Sequence, residues 1–381
     1  MTESTALLPS GLRDTLPPEA EHEAFVTESL LSRFRQNGYR QVSTPLVEFE
    51  ASLLTGPGAA MVDKTFRLVD PVSQRTMAVR ADITPQIARI AATRLSGWPR
   101  PLRLCYNGTV LRVTGDQLRA DRQFRQAGLE LIGCESVAAD AEAITVAVEA
   151  LTALGVKGLT VDLSLPVLAP ALLPALVAGD AVSHDLREAL NRKDQASVER
   201  LTGTAAPLLA AVMATAGPAA AALKALKALD LPAAAREALA PAEALLPLLA
   251  ESLPDLEVTL DPVEHRGFEY HSGISFSLFA RGLNGELGRG GRYWATAPGH
   301  AGETATGATL YLDKVMRALD PPAPTRRLYL PAGTTSADRR ARQAEGWWTV
   351  IGLEPATDAA HEARRLGCSH VWQDGAAVPL G

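Results

Sequence analysis

Leu102-Arg-Leu-Cys-Tyr-Asn-Gly-Thr-Val-Leu-Arg112, a short polar loop, and Arg122-Gln-Phe-Arg-Gln-Ala-Gly-Leu-Glu-Leu-Ile-Gly133 form the stretch that decides the fold. Each half has strand length, and the polar segment from Thr114 to Asp121 contains Gly115-Asp116, so the pair predicts an antiparallel hairpin. A repeat of two places Tyr106, Gly108, Val110 and Arg112 on one face of the first strand. It groups Phe124, Gln126, Gly128, Glu130 and Ile132 on the second, while Leu129 and Leu131 point into a core. One face thus joins an arginine, a glutamine and a carboxylate with glycines that leave space between them. Polar groups on a half-buried sheet need partners, which a small zwitterionic ligand would supply. The same run has a plainer reading: six arginines stand against two acids between Arg100 and Gln126, and such runs commonly make a solvated sheet face.

The chain has 381 residues, 47% of them hydrophobic, enough for two or three domains. A formal net charge of −6 argues against broad nucleic-acid binding. Cys105, Cys134 and Cys368 are widely spaced; they form no metal-binding spacing, and an odd number fits a reducing compartment. The first residues lack the basic-then-apolar pattern of a signal peptide, so a cytoplasmic protein is expected. Leu201 to Leu223 is uncharged but mostly alanine, broken by Pro207, Gly217 and Pro218. It reads as a helical hairpin and not as a membrane span.

From the start, Leu8 to Pro18 is extended, and a helix follows over about 19–36, with Val26, Leu30 and Phe34 on one stripe. Gly38 to Val47 predicts a strand whose Pro45 belongs at an edge, a bulge or an interface. Segments 65–70 and 74–80 predict a hairpin. Arg80-Ala-Asp-Ile-Thr-Pro85 opens a helix with Thr84 as N-cap and Pro85 at its first position. Asp82, just before it, either helps cap the helix or binds an ammonium group. A helix over 138–154 ends at Gly155, and a strand runs from Leu159 to Leu163. Residues 166–253 shift to alanine and leucine and predict a helical insertion. Strands resume at 256–260 and 274–279. Gly288-Arg-Gly-Gly-Arg-Tyr293 reads as a glycine-rich turn, and 307–319 as a helix that ends a domain of residues 1–320. After the linker Pro321-Pro322-Ala323-Pro324, residues 325–381 alternate β-α-β-α-β, which predicts a small parallel sheet.

Several separated stretches resemble the class II aminoacyl-tRNA synthetases, and the histidyl-tRNA synthetase family in particular. Gly38 to Val47 fits the first class motif, including a proline that lies at the dimer interface in that family. The hairpin from Leu102 to Gly133 is similar to the second. Gly11-Leu-Arg-Asp14, Arg266-Gly-Phe-Glu-Tyr270 and Gly290-Gly-Arg-Tyr293 resemble elements of the histidyl enzymes. The resemblance spans about 9–320. It implies an α+β fold: a class II antiparallel sheet flanked by helices, with the helical insertion and a small C-terminal α/β domain. It also implies site roles. Asp82, shorter than the usual glutamate, stands where the family holds the histidine amino group. Gln126 and Glu130 match the pair that contacts the amino acid. Arg112 matches the arginine on the adenylate phosphate and carboxylate, Arg266 the catalytic arginine, and Tyr293 a pocket tyrosine. Thr84, Tyr270 and His271 complete the expected site for a histidine-like ligand; His271 replaces a tyrosine that reads the imidazole.

The departures bear on function. Thr114 replaces the ATP-binding glutamate of the second motif, and Lys314 replaces the adenine-stacking arginine of the third. Lysine keeps the charge and loses the planar fork. The tail from Thr325 is shorter than the family's anticodon-binding domain. This combination is similar to the regulatory subunits of ATP phosphoribosyltransferase. That similarity implies a non-catalytic protein without metal or cofactor. It further implies a homodimeric core in a hetero-oligomer with the short-form catalytic subunit, histidine as effector, and no tRNA or membrane partner. The competing expectations are an active histidyl-tRNA synthetase, favoured by Arg112 and Arg266, and a stand-alone paralogue that transfers an amino acid elsewhere.

Overall fold

The computed structural model describes residues 8–115, 121–176, 184–203, 206–264, 271–321 and 325–380, without the side chains at 173–176, 184 and 187. Two compact units are present, Met1–Asp320 and Pro321–Gly381.

In the first unit, helix α1 (Glu19–Gln36) buries Val26, Leu30 and Phe34 at four-residue spacing. It stops at Asn37 and Gly38, the glycine having φ 84°. The strand expected over 38–47 is broken into β1 (Arg40–Gln41) and β2 (Val47–Phe49). Proline has no N–H for a ladder at Pro45. The flanking backbone is held instead by Arg80, whose N–H donates to Leu46 O at 3.0 Å. After α2 (Glu50–Leu53) and a 3-10 segment (Gly56–Lys64), β3 (Arg67–Val69) and β4 (Thr76–Val79) form the predicted hairpin, and β2 joins it. Helix α3 (Thr84–Thr93) begins one residue earlier than Thr84 as N-cap required. Ile83 is the cap residue, and the Asp82 carboxylate takes the Thr84 N–H at 2.9 Å. Asp82 therefore does cap the helix.

Strands β5 (Leu102–Leu111) and β6 (Gln123–Ile132) pair antiparallel along their whole length. Helix α4 (Val137–Leu154) follows, capped by Ser136 and ended by Gly155 at φ 96°. Then comes β7 (Leu159–Ser164). The alanine-rich segment forms α5 (Leu168–Leu176), α6 (His184–Asn191), α7 (Gln195–Thr202) and α8 (Ala206–Ala214). A two-residue strand, β8 (Gly217–Pro218), precedes α9 (Ala219–Ala228), α10 (Ala233–Glu237) and α11 (Ala240–Ser252). Strands β9 (Glu257–Asp261), β10 (His271–Ala280), β11 (Gly288–Ala295) and β12 (Glu303–Tyr311) lead to α12 (Leu312–Arg317). Among the described residues the main sheet has nine strands in the order β1-β5-β6-β12-β11-β10-β7-β9-β8, antiparallel except at β1–β5 and β7–β9.

Two expectations are corrected here. Residues 288–293 are not a turn but part of β11, and 307–311 are strand, not helix. Glycines sit in β11 because the chains crowd. A Cβ on Gly290 would lie 2.1 Å from Gly307 O and 2.5 Å from the Phe276 ring. On β12, residues 305–311 are buried on both faces, so the apolar pattern loses the alternation that marks a strand.

One sheet face, with Ala127, Leu129, Phe276, Leu278 and Leu310, packs on α1 and α4. The other carries Leu104, Tyr106, Phe124, Ile132, Tyr293 and Tyr311 and is covered by Ile83 and Ile87 at α3. Each fully buried large apolar side chain contributes roughly 1.5–3 kcal/mol. The second unit has parallel β13 (Arg327–Leu330), β14 (Trp348–Ile351) and β15 (His370–Gln373), with α13 (Ser336–Ala344) and α14 (Ala359–Arg365) between them. An antiparallel strand not expected from the sequence, β16 (Ala376–Pro379), closes one edge. Among the described residues no helix is long and apolar enough to cross a membrane.

Candidate functional site

The register of four strands builds a trough on the α3 side of the main sheet. Glu130 on β6 pairs with Gly307 on β12, Gly307 with Gly291 on β11, and Gly291 with Ser275 on β10. Two glycines thus floor the space between a carboxylate and a hydroxyl. With strands roughly 4.8 Å apart, those walls stand on backbones about 14 Å apart. Gly307 is obligatory, since a Cβ there would fall 1.9 Å from Glu130 Oε2.

Glu130 is 1% exposed. Its Oε2 accepts from Tyr293 Oη at 2.9 Å and its Oε1 from Thr84 Oγ1 at 3.1 Å. Burial pushes its pKa up to about 8, against the pull of these hydroxyl donors. The chain of hydroxyls continues from Thr84 Oγ1 to Tyr106 Oη at 3.3 Å and on to Thr309 Oγ1 at 2.7 Å. At the N-terminus of α3, Gln126 is fixed in both directions. Its Nε2 donates to Asp82 Oδ2 at 2.9 Å, and its Oε1 accepts from Ile83 N at 3.2 Å. Packing and these bonds pre-order the polar groups before any ligand meets them.

Of the expected site residues, Asp82, Thr84, Glu130, His271 and Tyr293 line one cavity, joined by Arg289, Gly290, Gly291, Gly307, Thr309 and Tyr311. Gln126 supports it through Asp82. Arg112 lies to one side. Its guanidinium stacks 4.9 Å from the centre of the Phe124 ring, and its Nε donates to Ala81 O at 3.3 Å. Arg266 and Tyr270 fall outside the described residues. The space among the lining atoms is about 30 Å³, room for about two waters, so an amino acid enters only if side chains move.

Arg289, Thr309 and Tyr311 in the cavity lining, and Ser275 at the register position beside Gly291, were missed by the sequence reading. The signal was present in period two: had 288–295 been read as a strand, Arg289, Gly291 and Tyr293 would have fallen on one face. Arg292, three residues from Arg289, points the opposite way and pairs with Asp140 at 2.7 Å. Two positions that carry ATP contacts in the synthetase motifs do not line the cavity: Thr114 is exposed at the strand end, and Lys314 is 6% exposed with its Nζ beside Gly285.

Residues 11–315 match the family described as histidyl-tRNA synthetase. Over 372 residues and 97% of both chains, the sequence is 55% identical to the ATP phosphoribosyltransferase regulatory subunit of Paramagnetospirillum magneticum. It is 52% identical to that of Rhodospirillum centenum over 98% of this chain and 96% of the other. A crystal structure of an ATP phosphoribosyltransferase regulatory subunit/histidyl-tRNA synthetase from Bacillus halodurans superposes with TM-score 0.80 at 24% identity, covering 95% of this chain and 97% of that one. A histidine–tRNA ligase subunit from Alicyclobacillus acidocaldarius gives 0.69 at 30% identity, over 84% and 98%.

Proposed function

Because the chain belongs to the ATP phosphoribosyltransferase regulatory subunit family, built on the histidyl-tRNA synthetase fold, we propose that its trough binds histidine as a signal and not as a substrate. The protein is a non-catalytic regulatory subunit that acts in the control of histidine biosynthesis. Its partner in this reading is the short-form catalytic subunit, which condenses ATP with phosphoribosyl pyrophosphate, within a hetero-oligomer built around a homodimer of this chain. The three cysteines, all free, agree with a cytoplasmic setting.

The observation that carries the ligand assignment is Glu130, buried and held by Tyr293 and Thr84 over a glycine floor. Carboxylates at Asp82 and Glu130 suit the ammonium and ring N–H of histidine, and His271 and Tyr293 border the ring's place. Adenylation needs ATP placed in line with the amino-acid carboxylate. Thr114 and Lys314 remove the contacts that would hold it there. A pocket detached from chemistry can still bias a partner, provided that the ligand binds one conformation better than the other.

Calorimetry with histidine, on the wild-type chain and Glu130→Ala with the catalytic subunit present, tests the assignment. Glu130 holds a proton at neutral pH in the free chain, and a cationic ligand draws it off. Loss of the charge-assisted hydrogen bond so formed is worth at most about 1.5–3 kcal/mol, a roughly ten- to hundredfold weaker Kd. Equal affinities for the two proteins would place histidine elsewhere.

A further inference from the structure

Arg289 gives the trough a second pole. On β11 it stands four residues before Tyr293, on the same face, with only Gly291 between them there. Across the sheet it pairs with Thr309 on β12 and Ser277 on β10. Its Nε donates to Glu286 Oε1 at 2.9 Å, and Glu286 Oε2 accepts from Ser277 Oγ at 3.2 Å. This tether holds a long flexible arm against the cavity wall. On the next strand Ser275 is fully buried, and its hydroxyl has no hydrogen-bond partner among the described residues. A buried hydroxyl in that state is unfavourable unless something completes it.

We infer that Arg289 is the carboxylate anchor of the trough, with Ser275 as a supporting hydrogen-bond donor, so that the ligand lies with its acid group toward Arg289 and its cationic groups toward Asp82 and Glu130. The inference rests on the histidine reading above and adds the ligand's direction and the feature that is recognised, the free carboxylate. A guanidinium meets a carboxylate through two parallel hydrogen bonds. A carboxylate joined to another group as an ester, amide or mixed anhydride has lost the charge and one of the two equivalent oxygens. The site therefore distinguishes free histidine from any activated form of it. Holding the ground-state carboxylate this firmly also opposes its activation, since only contacts that strengthen in the transition state speed a reaction. The approach of the ligand acid draws Arg289 away from Glu286 and enlarges the cavity.

The test is calorimetry of histidine and histidinamide against the full-length chain in complex with its catalytic subunit, as wild type, Arg289→Ala, Arg289→Lys and Ser275→Ala. The wild type is expected to prefer histidine by about ten- to hundredfold. Arg289→Ala should bring the two ligands to near-equal affinity by weakening histidine alone, and Arg289→Lys should keep part of the preference. Ser275→Ala should weaken histidine by less. A preference that survives in Arg289→Ala overturns the inference, because the acid group must then be held elsewhere. If Arg289→Ala does not fold, Arg289→Gln carries the same comparison. Affinity unchanged in Glu130→Ala as well as in Arg289→Ala would instead sink the pocket assignment itself, and no binding by the wild type would sink both.

Discussion

Glu130 is the residue on which most depends. Its carboxyl is lifted to about 8 by burial, so at neutral pH the folded chain keeps a proton there that the unfolded chain has released. Between its ordinary carboxyl range and about pH 8 the native state binds more protons, and stability falls as pH rises, by at most about 1.4 kcal/mol per unit. The stabilisation is fully present below the unfolded-state pKa and lost above the folded one. In Glu130→Gln that contribution should be lost, leaving a shallower slope across pH 5 to 8 that comes from other carboxyls raised by burial, such as Glu264, as measured by denaturant unfolding at a series of pH values. A wild-type slope no steeper than that of the variant would show that the carboxyl ionises normally in the fold.

At the scale of elements, β11 and β12 carry the lesson about what a sequence shows. Gly290 reads as part of a turn and Gly307 as the start of a helix, yet each is in a strand, where a neighbour occupies the place of its Cβ. Gly290→Ala would press on Gly307 O and the Phe276 ring and should destabilise the fold by about 1–3 kcal/mol, the usual range for overpacking. Thermal melts would register it, and an unshifted midpoint would mean that the two strands are less tightly joined than described. The hairpin β5–β6 was legible from two strand-length runs around a polar loop, helices α1 and α4 from their helical patterns and glycine stops, and the parallel order of β13 to β15 from the β-α-β-α-β alternation. Asp82, Thr84, Glu130, His271 and Tyr293 were legible as a group through motif resemblance. Arg289 and Ser275 were not: the period-two signal around Arg289 was masked by a glycine run read as a turn, and long-range pairing decides what each residue faces. Arg112 was placed in the site by alternation and by the match to the second motif; it stacks on Phe124 and bonds to Ala81 O, and it is not among the residues that line the cavity.

At the scale of the whole molecule we propose a two-fold dimer about the segment 38–47. Pro45 is exposed and Leu46 is 48% exposed, while Arg40 stacks on Trp98, itself 41% exposed. Closed two-fold symmetry is the commonest way to cover such a surface. Sedimentation at micromolar concentration should show a dimer that Leu46→Asp converts to monomer; a wild-type monomer would dismiss the arrangement. The buried Arg80 matters most in that setting. Its side chain clasps Thr44 through both O at 3.1 Å and Oγ1 at 2.7 Å, and its Nε reaches Thr109 O on β5 at 2.8 Å. Two residues further along the chain, Asp82 meets the ligand site. Through Arg80 the segment that carries Asp82 is joined to Thr44, which lies in the segment proposed for the two-fold interface. In the proposed dimer two such pockets would be coupled, so histidine binding is expected to show a Hill coefficient above one, and a coefficient of one in calorimetry would dismiss the coupling.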